Sequence, residues 1–498
     1  MAKVNIKPKT QAGKTENYEG GEAFELHPEE KLLHLTGTCL FNEPKFYGEL
    51  GETEQKILDT VSQVANTEPK LLLQLASYLR SEQNLRTIPN VLLVASANQP
   101  KIKGTKLITD YAPKIINRAD ELTEVIAIQL EYFKKPTPNS IKKAVAKCFP
   151  KFDEYQFAKY NRKSKVTFKD AILISHAKEP SEIIKKILDN KLKTPYTWEV
   201  ELSKGGDKKQ TWEKLIDSNK LGYFALIRNL RNILEAKVSN EHIQKVITTI
   251  TSSEKVKNSQ LFPFRFYQAY KELHEVPNVN VSKVLDALEI AMEIAFSNIP
   301  KIPGTTFIAC DTSNSMEDKL SAKSKMIRKE VGLLLGVAAN RFTDYSLFGC
   351  FGNDFGIYNP RKTSAIIDTV NNVHQWSGKL GCSTNGYKAI QYLSDNNLKV
   401  DRILIFTDCQ LYDSEQGYSW RSSDDEMTIR KEFNKYRQNI NKDCKIYLFD
   451  LSTYGTVNFP ENDRSVTNIS GWSENIFKFM KFMEQDPKAQ LNYIRTKY

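Results

Sequence analysis

The hydrophobic pattern of this chain changes near residue 300, and that change limits the folds it can adopt. From about residue 25 to 298, apolar residues recur at steps of three and four, which is typical of one face of an α-helix. After the Pro- and Gly-containing segment 299–304, short apolar runs typical of buried strands alternate with helical stretches. The pattern therefore predicts a helical region followed by an α/β region with a parallel sheet.

The helical region contains many short amphipathic stretches, separated by polar or proline-containing joints such as residues 87–89 and 136–138. Helices of this length and number predict an α-solenoid, in which neighbouring helix pairs stack on one another. The helix spacing alone supports this prediction, because no strict sequence period accompanies it.

The second region places oxygen-bearing side chains where strands end. An Asp-x-Ser-x-Ser motif follows one apolar run, an aspartate follows another, and a threonine precedes a helix between them. Such residues are ordinary in turns and helix caps. Their order and strand context nevertheless favour a site for a divalent cation such as Mg²⁺, which prefers oxygen ligands. The candidate ligands are Asp311, Ser313, Ser315, Thr384 and Asp408.

Positive charge is concentrated in one part of the chain. Residues 101–200 hold 21 Lys and Arg against 12 Asp and Glu, an excess of nine within a net charge of +11. Lys159, Arg162 and Lys163 would share one face of a helix, an arrangement that suits an anionic partner lying across them. Clustered cations of this kind indicate phosphate binding, and a solvated face on a Lys-rich protein is the alternative.

The basic segment also contains aromatic residues and a histidine. Tyr155, Phe157 and Tyr160 are interleaved with the cations, as stacking faces for bases or as core residues. Ser175 and His176 follow, and a serine N-cap beside a histidine is the simplest interpretation of that pair taken alone.

Two sets of motifs resemble known families. Residues 158–176, together with residues 78–93, resemble the TROVE module of the Ro ribonucleoprotein family. The five candidate metal ligands resemble the metal-ion-dependent adhesion site (MIDAS) of a von Willebrand factor A domain. A TROVE module followed by such a domain is the architecture of the Ro family, and the resemblance extends over about residues 20–485.

The resemblance implies a monomeric ring of HEAT-like repeats that a Rossmann-like von Willebrand A domain closes. It also implies a basic outer face for small noncoding Y-like RNA and a central hole for single-stranded 3′ ends of misfolded RNA. The implied role is RNA quality control or processing, with an exoribonuclease such as polynucleotide phosphorylase as a partner. The implied RNA-binding residues are Lys159, Arg162, Lys163 and His176.

We therefore predict four segments. Residues 1–22 form a flexible arm, 23–300 the TROVE-like helical repeats, 301–485 the A-like domain and 486–498 a C-terminal tail. Seven scattered cysteines without a Cys-x-x-Cys pair, no secretory signal and no apolar run of membrane-spanning length predict a cytoplasmic protein that does not enter membranes.

Two other functional classes are alternatives to RNA binding. The first is an enzyme, which we do not expect, because the histidines form no metal-spaced pair and a two-metal nuclease needs more clustered carboxylates. The second is a protein-interaction scaffold that binds a partner's carboxylate through the metal. This alternative remains open from the sequence.

Overall fold

The computed structural model describes most of the chain, with several gaps. The described residues are 14–16, 22–37, 52–162, 164–259, 261, 263–297, 301–319, 325–413, 427–452, 456–459, 463, 465–470 and 489–498. No helix within these ranges has the length and apolar character needed to cross a membrane.

The first region consists of short helices, as the apolar spacing predicts. Their bounds are α1 Pro28–Gly37, α2 Glu52–Thr67, α3 Pro69–Ser81, α4 Thr87–Ala97, α5 Leu107–Ile115, α6 Ala119–Ala127, α7 Asn139–Cys148, α8 Glu154–Tyr160, α9 Phe168–Ser175, α10 Ser181–Leu188, α11 Trp198–Ser203, α12 Lys208–Asp217, α13 Tyr223–Glu235, α14 Asn240–Ile250, α15 Ser253–Ser259, α16 Pro263–Leu273 and α17 Val281–Phe296. Side chains at the N-termini support several of them. Asp153, for example, accepts a hydrogen bond of 2.7 Å from the backbone N–H of Gln156 at the start of α8.

The second region is a six-stranded sheet with helices packed against it. Its strands and helices are β3 Ile302–Asp311, α18 Arg328–Phe342, β4 Thr343–Phe351, β5 Phe355–Ile357, α19 Ile366–Ser377, α20 Tyr387–Asp395, β6 Arg402–Thr407, α21 Ile429–Asn439, β7 Lys445–Asp450 and β9 Val466–Ser470. The strand order is β5-β4-β3-β6-β7-β9, and every pair except β4–β5 is parallel. The predicted fold class, a helical region followed by a mostly parallel sheet with helices, is confirmed.

Three further elements join the two regions. They are β1 Lys14–Glu16, β2 Glu22–Glu25 and β8 Thr456–Val457, which form a small antiparallel sheet. A last helix, α22 Ala489–Lys497, packs against α3 and α1. Strand β1 and the first residue of β2 therefore occur in the predicted arm, and α22 occurs in the predicted tail.

The apolar side chains of the helical region form two separate cores. One core contains side chains from α1 to α10 together with Leu491 and Ile494 of α22. The other contains side chains from α12 to α17 and continues into one face of the sheet, where Ile308 and Phe406 belong to it. The opposite face of the sheet is covered separately by α20 and α21.

The sheet region contacts both ends of the helical region, so that the chain closes on itself. At the N-terminal end α1 contacts β9, and Nδ1 of His34 lies 3.8 Å from Oδ2 of Asp450. At the C-terminal end α17 contacts α19, and the hydroxyl of Tyr267 lies 2.8 Å from Oδ1 of Asn371. This closure leaves a central space between the two helical cores.

Candidate nucleic-acid interface and metal centre

A cavity of about 1460 Å³ lies between the two helical cores. One side is formed by the N-terminal end of α4, by α6 and by α8 with the loop that follows it. The other side is formed by α13, α15 and the start of α16. Residues 196–199 also line the cavity. Both helical cores therefore contribute to its wall, and we call this space the central cavity.

The wall of the central cavity is strongly cationic. Among the described residues, nine cationic side chains face three anionic ones, an excess of six positive charges. The cations are Arg86, Arg118, Lys159, Arg162, Lys165, Lys220, Arg228, Lys255 and Arg265. Six aromatic side chains lie among them, and two of these, Tyr155 and Phe224, are each 47% exposed. Cations interleaved with exposed rings are what a single-stranded nucleic acid requires of its binding surface.

Part of this wall is a network of opposite charges. Asp120 accepts hydrogen bonds from Arg86 at 2.6 Å and from Arg118 at 3.0 Å. The guanidinium of Arg118 also lies 4.6 Å from the ring centroid of Tyr160, and Nζ of Lys159 lies 5.5 Å from the same centroid. Tyr160 therefore packs against the first core and at the same time presents its ring to two cations of the cavity wall.

The predicted basic face does not form as a helical face. Helix α8 ends at Tyr160, and Asn161 leaves the helical conformation with φ −73° and ψ 83°. Lys159 therefore lies in the last helical turn, whereas Arg162 lies in the following loop, 3.8 Å from Glu199. Lys163 lies outside the described residues. Both Lys159 and Arg162 nevertheless line the central cavity.

The remaining residues of the basic segment separate into different environments. Phe157 is fully buried and packs on Phe149, whereas Tyr155 and Tyr160 line the cavity. His176 ends α9 in a left-handed conformation, φ 55°, and is exposed, but it is not part of the cavity wall. Ser175 is buried, and its hydroxyl donates to the backbone of its own helix, so its interpretation as an N-cap is wrong.

Most of the cavity cations were not found by sequence reasoning. Arg86 and Arg118 follow α3 and α5, and Arg228, Lys255 and Arg265 come from helices beyond the basic segment. Arg86, Arg118 and Arg265 have no cationic neighbour within three residues, so no local charge cluster identifies them. Only the packing of the helices places these side chains on one wall.

The two predicted aspartate ligands of the metal centre meet at one edge of the sheet. Asp311 ends β3 and Asp408 follows β6, which is the parallel neighbour of β3. Both carboxylates are buried. The hydroxyl of Thr407 donates to Asp311 at 2.6 Å, and the backbone N–H of Gln410 donates to Asp408 at 3.2 Å.

The hydroxyl-bearing candidates lie at the same edge, Ser313 and Thr384 in loops and Ser315 in a short 3₁₀ helix. The hydroxyls of Ser313 and Ser315 are 3.2 Å apart, and the backbone N–H of Ser313 donates to Asp311 at 2.9 Å. The loop that carries Thr384 is joined to the serine loop, since the N–H of Asn314 donates to the carbonyl of Cys382 at 2.8 Å. The described residues contain no cluster of three or more His, Cys, Asp or Glu side chains, so a cation here would depend on hydroxyls.

Two orphaned oxygen atoms fit a cation at this position. Within the described part of the chain, Oγ1 of Thr384 and Oδ2 of Asp408 are buried and have no hydrogen-bond partner. Burial and the nearby charge of Asp311 raise the pKa of Asp408 to about 7, and burial also raises the pKa of Asp311. A divalent cation would offset both the missing partners and the mutual repulsion of the carboxylates.

The TROVE domain family matches residues 29–190 and 188–283. The chain belongs to the TROVE family. The two matched segments meet near the end of α10, where the first helical core of this TROVE protein ends and the second begins.

Individual relatives are distant. Telomerase protein component 1 of Mus musculus is 24% identical over 310 residues, which cover 45% of this chain and 12% of that protein. The RNA-binding protein RO60 of Caenorhabditis elegans is 24% identical over 288 residues, 54% of this chain and 41% of that protein. The matches thus span less than half the length of these relatives.

The fold of this TROVE protein is similar to a known crystal structure. The RO (RSR) protein of Deinococcus radiodurans superimposes with a TM-score of 0.63 at 17% sequence identity. The match covers 92% of this chain and 100% of the other. At this identity the similarity concerns the fold alone.

Proposed function

We propose that this TROVE protein binds small structured noncoding RNA, of the Y-like kind, and receives single-stranded RNA ends in the central cavity. The role would be RNA quality control or processing. The observation that carries this proposal is the cavity wall, with nine described cations against three anions. Phosphate contacts release counterions and would supply most of the affinity without reading base sequence.

The exposed rings add a second contribution. Base stacking on an aromatic side chain contributes about 1–3 kcal/mol and tolerates any base. Tyr155 and Phe224 offer such faces in the cavity wall. A single strand exposes its bases to these rings, whereas a duplex does not, so we propose selection by strandedness rather than by sequence.

The predicted Y-like RNA contacts remain part of this proposal. Lys159 and Arg162 line the cavity, and the exposed imidazole of His176 lies apart from it. We propose that the structured part of an RNA contacts His176 and Lys163 while its unpaired end reaches Lys159 and Arg162. The lysine at position 163 would act as a point charge rather than as a bidentate fork.

An RNA-binding assay tests this function. The probes are a structured RNA with a single-stranded 3′ tail and the same RNA with a blunt end, each titrated across a salt series. We expect tighter binding of the tailed RNA by the wild type. The variant Lys159→Ala/Arg162→Ala/Lys163→Ala should bind it more weakly and lower the salt slope by about 2, since each phosphate contact with a single strand contributes about 0.7.

The matched control is Lys208→Ala/Lys209→Ala/Lys214→Ala, which removes three exposed charges of α12 that do not line the central cavity. We expect this control to bind nearly as the wild type does. Absence of binding to either probe at low salt would reject the proposed function. Equal losses of RNA affinity in both triple variants would mean that the loss comes from the lower net charge of the protein and not from the cavity wall.

We further propose that Asp311, Ser313, Ser315, Thr384 and Asp408 hold a divalent cation, Mg²⁺ being the natural choice for oxygen ligands. A bound cation would supply an electrophilic position for a carboxylate or phosphate from outside the protein. The orphaned oxygens of Thr384 and Asp408 favour a second function alongside RNA binding, in which this site binds an acidic partner protein such as an exoribonuclease.

Thermal unfolding with added Mg²⁺ tests the metal site without any activity assay. A ligand at a hundred times its dissociation constant stabilises the folded state by about 2.7 kcal/mol. We expect Mg²⁺ to raise the midpoint of the wild type and of Ser383→Ala, whose hydroxyl is not a candidate ligand. The shift should be lost in Thr384→Val and Asp408→Ala, and its persistence in both variants would exclude the site.

Catalysis is not part of the proposal. We expect no RNA hydrolysis by the purified protein with Mg²⁺. Hydrolysis that disappears in Asp311→Ala would overturn this expectation.

A further inference from the structure

A second groove continues from the central cavity. It has a volume of about 670 Å³ and lies between α13 and α16. Three residues, Phe224, Arg228 and Arg265, line both the central cavity and this space, which we call the side groove. The two spaces are therefore neighbours that share part of one wall.

Among the residues that the structure describes, the two arginines on the shared wall have no carboxylate partner. In the described part of the chain, Arg228 forms no ion pair, and Arg265 donates a hydrogen bond of 3.1 Å to the neutral side chain of Gln268. Both arginines line the central cavity and the side groove, and burial, with a smaller contribution from the charge of Arg228, lowers the pKa of Arg265 below its ordinary value. A pair of neighbouring cations without an anion favours an anionic ligand.

The other charges of the side groove are already neutralised. Arg231, one helical turn beyond Arg228, pairs with Glu235 at 2.8 Å. Glu272 lies 3.8 Å from Lys325. The unmatched charge of the groove is therefore located at Arg228 and Arg265, next to the central cavity.

An apolar surface accompanies this charge. Phe224 is 47% exposed at the start of α13 and lines both spaces. Ile227 and Leu230 form part of the groove wall and are themselves buried in the second core. An exposed ring beside two unmatched guanidinium groups suits a chain that carries both phosphates and bases.

We infer that the side groove binds a further segment of single-stranded RNA, which leaves the central cavity sideways between α13 and α16. Arg228 and Arg265 would bind its phosphates, and Phe224 would stack on a base. The inference rests on the proposed function, because it assumes that RNA occupies the central cavity. It adds an exit path and a longer binding site than the cavity alone provides.

The test measures how affinity depends on strand length. The probes are oligouridylates, from a length that only fills the central cavity to lengths several nucleotides greater. Wild-type affinity should keep rising with length after the cavity is filled. In Arg228→Ala and in Phe224→Ala the rise should stop earlier, with a loss of about tenfold for the longest probe, as expected for one lost stacking or charged contact.

Three controls sharpen the test. Arg231→Ala removes the same charge from the same helix and groove, but from an ion pair, and should leave the length dependence unchanged. Arg228→Lys keeps the charge and should recover part of the affinity. Uridine monophosphate and inorganic phosphate are added as competitors, which should displace the long probe only weakly.

Each outcome separates the two hypotheses. Failure of the wild type to bind any oligouridylate would reject the proposed function and the inference with it. Binding with the same length dependence in wild type, Arg228→Ala and Phe224→Ala would reject the inference alone. Efficient competition by free phosphate would mean a simple anion pocket and would also overturn the exit path. Phe224 and Arg228 are exposed, so a thermal unfolding check should find both variants folded.

Discussion

The two halves of the helical region are attached to the rest of the molecule in different ways. Helices α12–α17 share one continuous apolar core with the sheet, so the second half and the sheet are stabilised together. Helices α1–α10 form a core of their own, and among the described residues only α22 adds side chains to it from the second region of the chain. The first half therefore depends on surface contacts to hold its position across the central cavity.

This difference concerns function because the cavity wall takes residues from both halves. Arg86, Arg118 and Lys159 belong to the first half, whereas Arg228 and Arg265 belong to the second. Their spacing depends on the elements that attach the first half, which in the described part of the chain include β2, α1 and α22. Changes at those elements should alter the cavity while leaving the second half intact.

The largest expected effect follows from Ile494→Ala. Ile494 is fully buried in the first core, and removing such a side chain costs about 2–5 kcal/mol. We expect faster amide hydrogen exchange in α1 and α3 and unchanged exchange in α13 and α17. The control is Thr496→Ala, an exposed position on the same helix. Equal loss of protection in both halves would contradict the separation of the two cores.

A smaller effect is expected on the pH dependence of the stability of the second half. Glu289 on α17 accepts hydrogen bonds from the backbone N–H groups of Ile366 and Ile367 at the start of α19. Burial raises the pKa of Glu289 from its ordinary value of 4.5 to about 7. Because folding raises the pKa of this carboxyl group, its ionisation opposes folding. The free energy of unfolding should therefore fall as the pH rises from 4.5 to 7.

Allowing for partial exposure of Glu289, the expected fall is about 1–2 kcal/mol. Glu289→Gln keeps an acceptor and removes the titration, so its unfolding free energy should lack this pH dependence. Urea unfolding at several pH values measures the difference between wild type and variant. The control is Asp286→Asn, an exposed carboxylate on the same helix. A pH-independent difference between wild type and Glu289→Gln would contradict the prediction.

The smallest effect belongs to an ion pair that attaches α22 to the first half. Arg495 donates two hydrogen bonds, of 2.9 and 2.8 Å, to the carboxylate of Glu68. Both side chains are partly exposed, so the pair should contribute about 0.2–1 kcal/mol and less at high salt. A double-mutant cycle with Arg495→Ala and Glu68→Ala measures the coupling. Coupling that does not change with salt would contradict the assignment to a screened ion pair.

Some features of the candidate sites follow directly from sequence. The apolar period predicts helices before residue 298 and strands after residue 304, because each period is a local property of the backbone. Asp311 and Asp408 could be placed together in advance, since parallel strands bring their carboxyl ends to one edge of a sheet. Their role as metal ligands remains a prediction.

Other features were not predictable in this way. The prediction that Lys159 and Arg162 share a helical face was wrong, because α8 ends at Tyr160, two residues before the arginine. The interleaved aromatics could not be assigned either. Phe157 is buried and Tyr155 exposed on the same short helix, and their burial depends on which helices pack against each side.

By itself, then, the sequence determined the order of the two regions, the class of the fold, the pair of strand ends that carries the metal-site candidates and the basic character of the middle of the chain. All of these are encoded in neighbouring residues. The tertiary structure alone decided the division of the helices into two cores, the attachment of α22 and the convergence of isolated arginines such as Arg86, Arg118, Arg228 and Arg265 on one cavity. These depend on contacts between residues far apart in the chain, and no local pattern records such contacts.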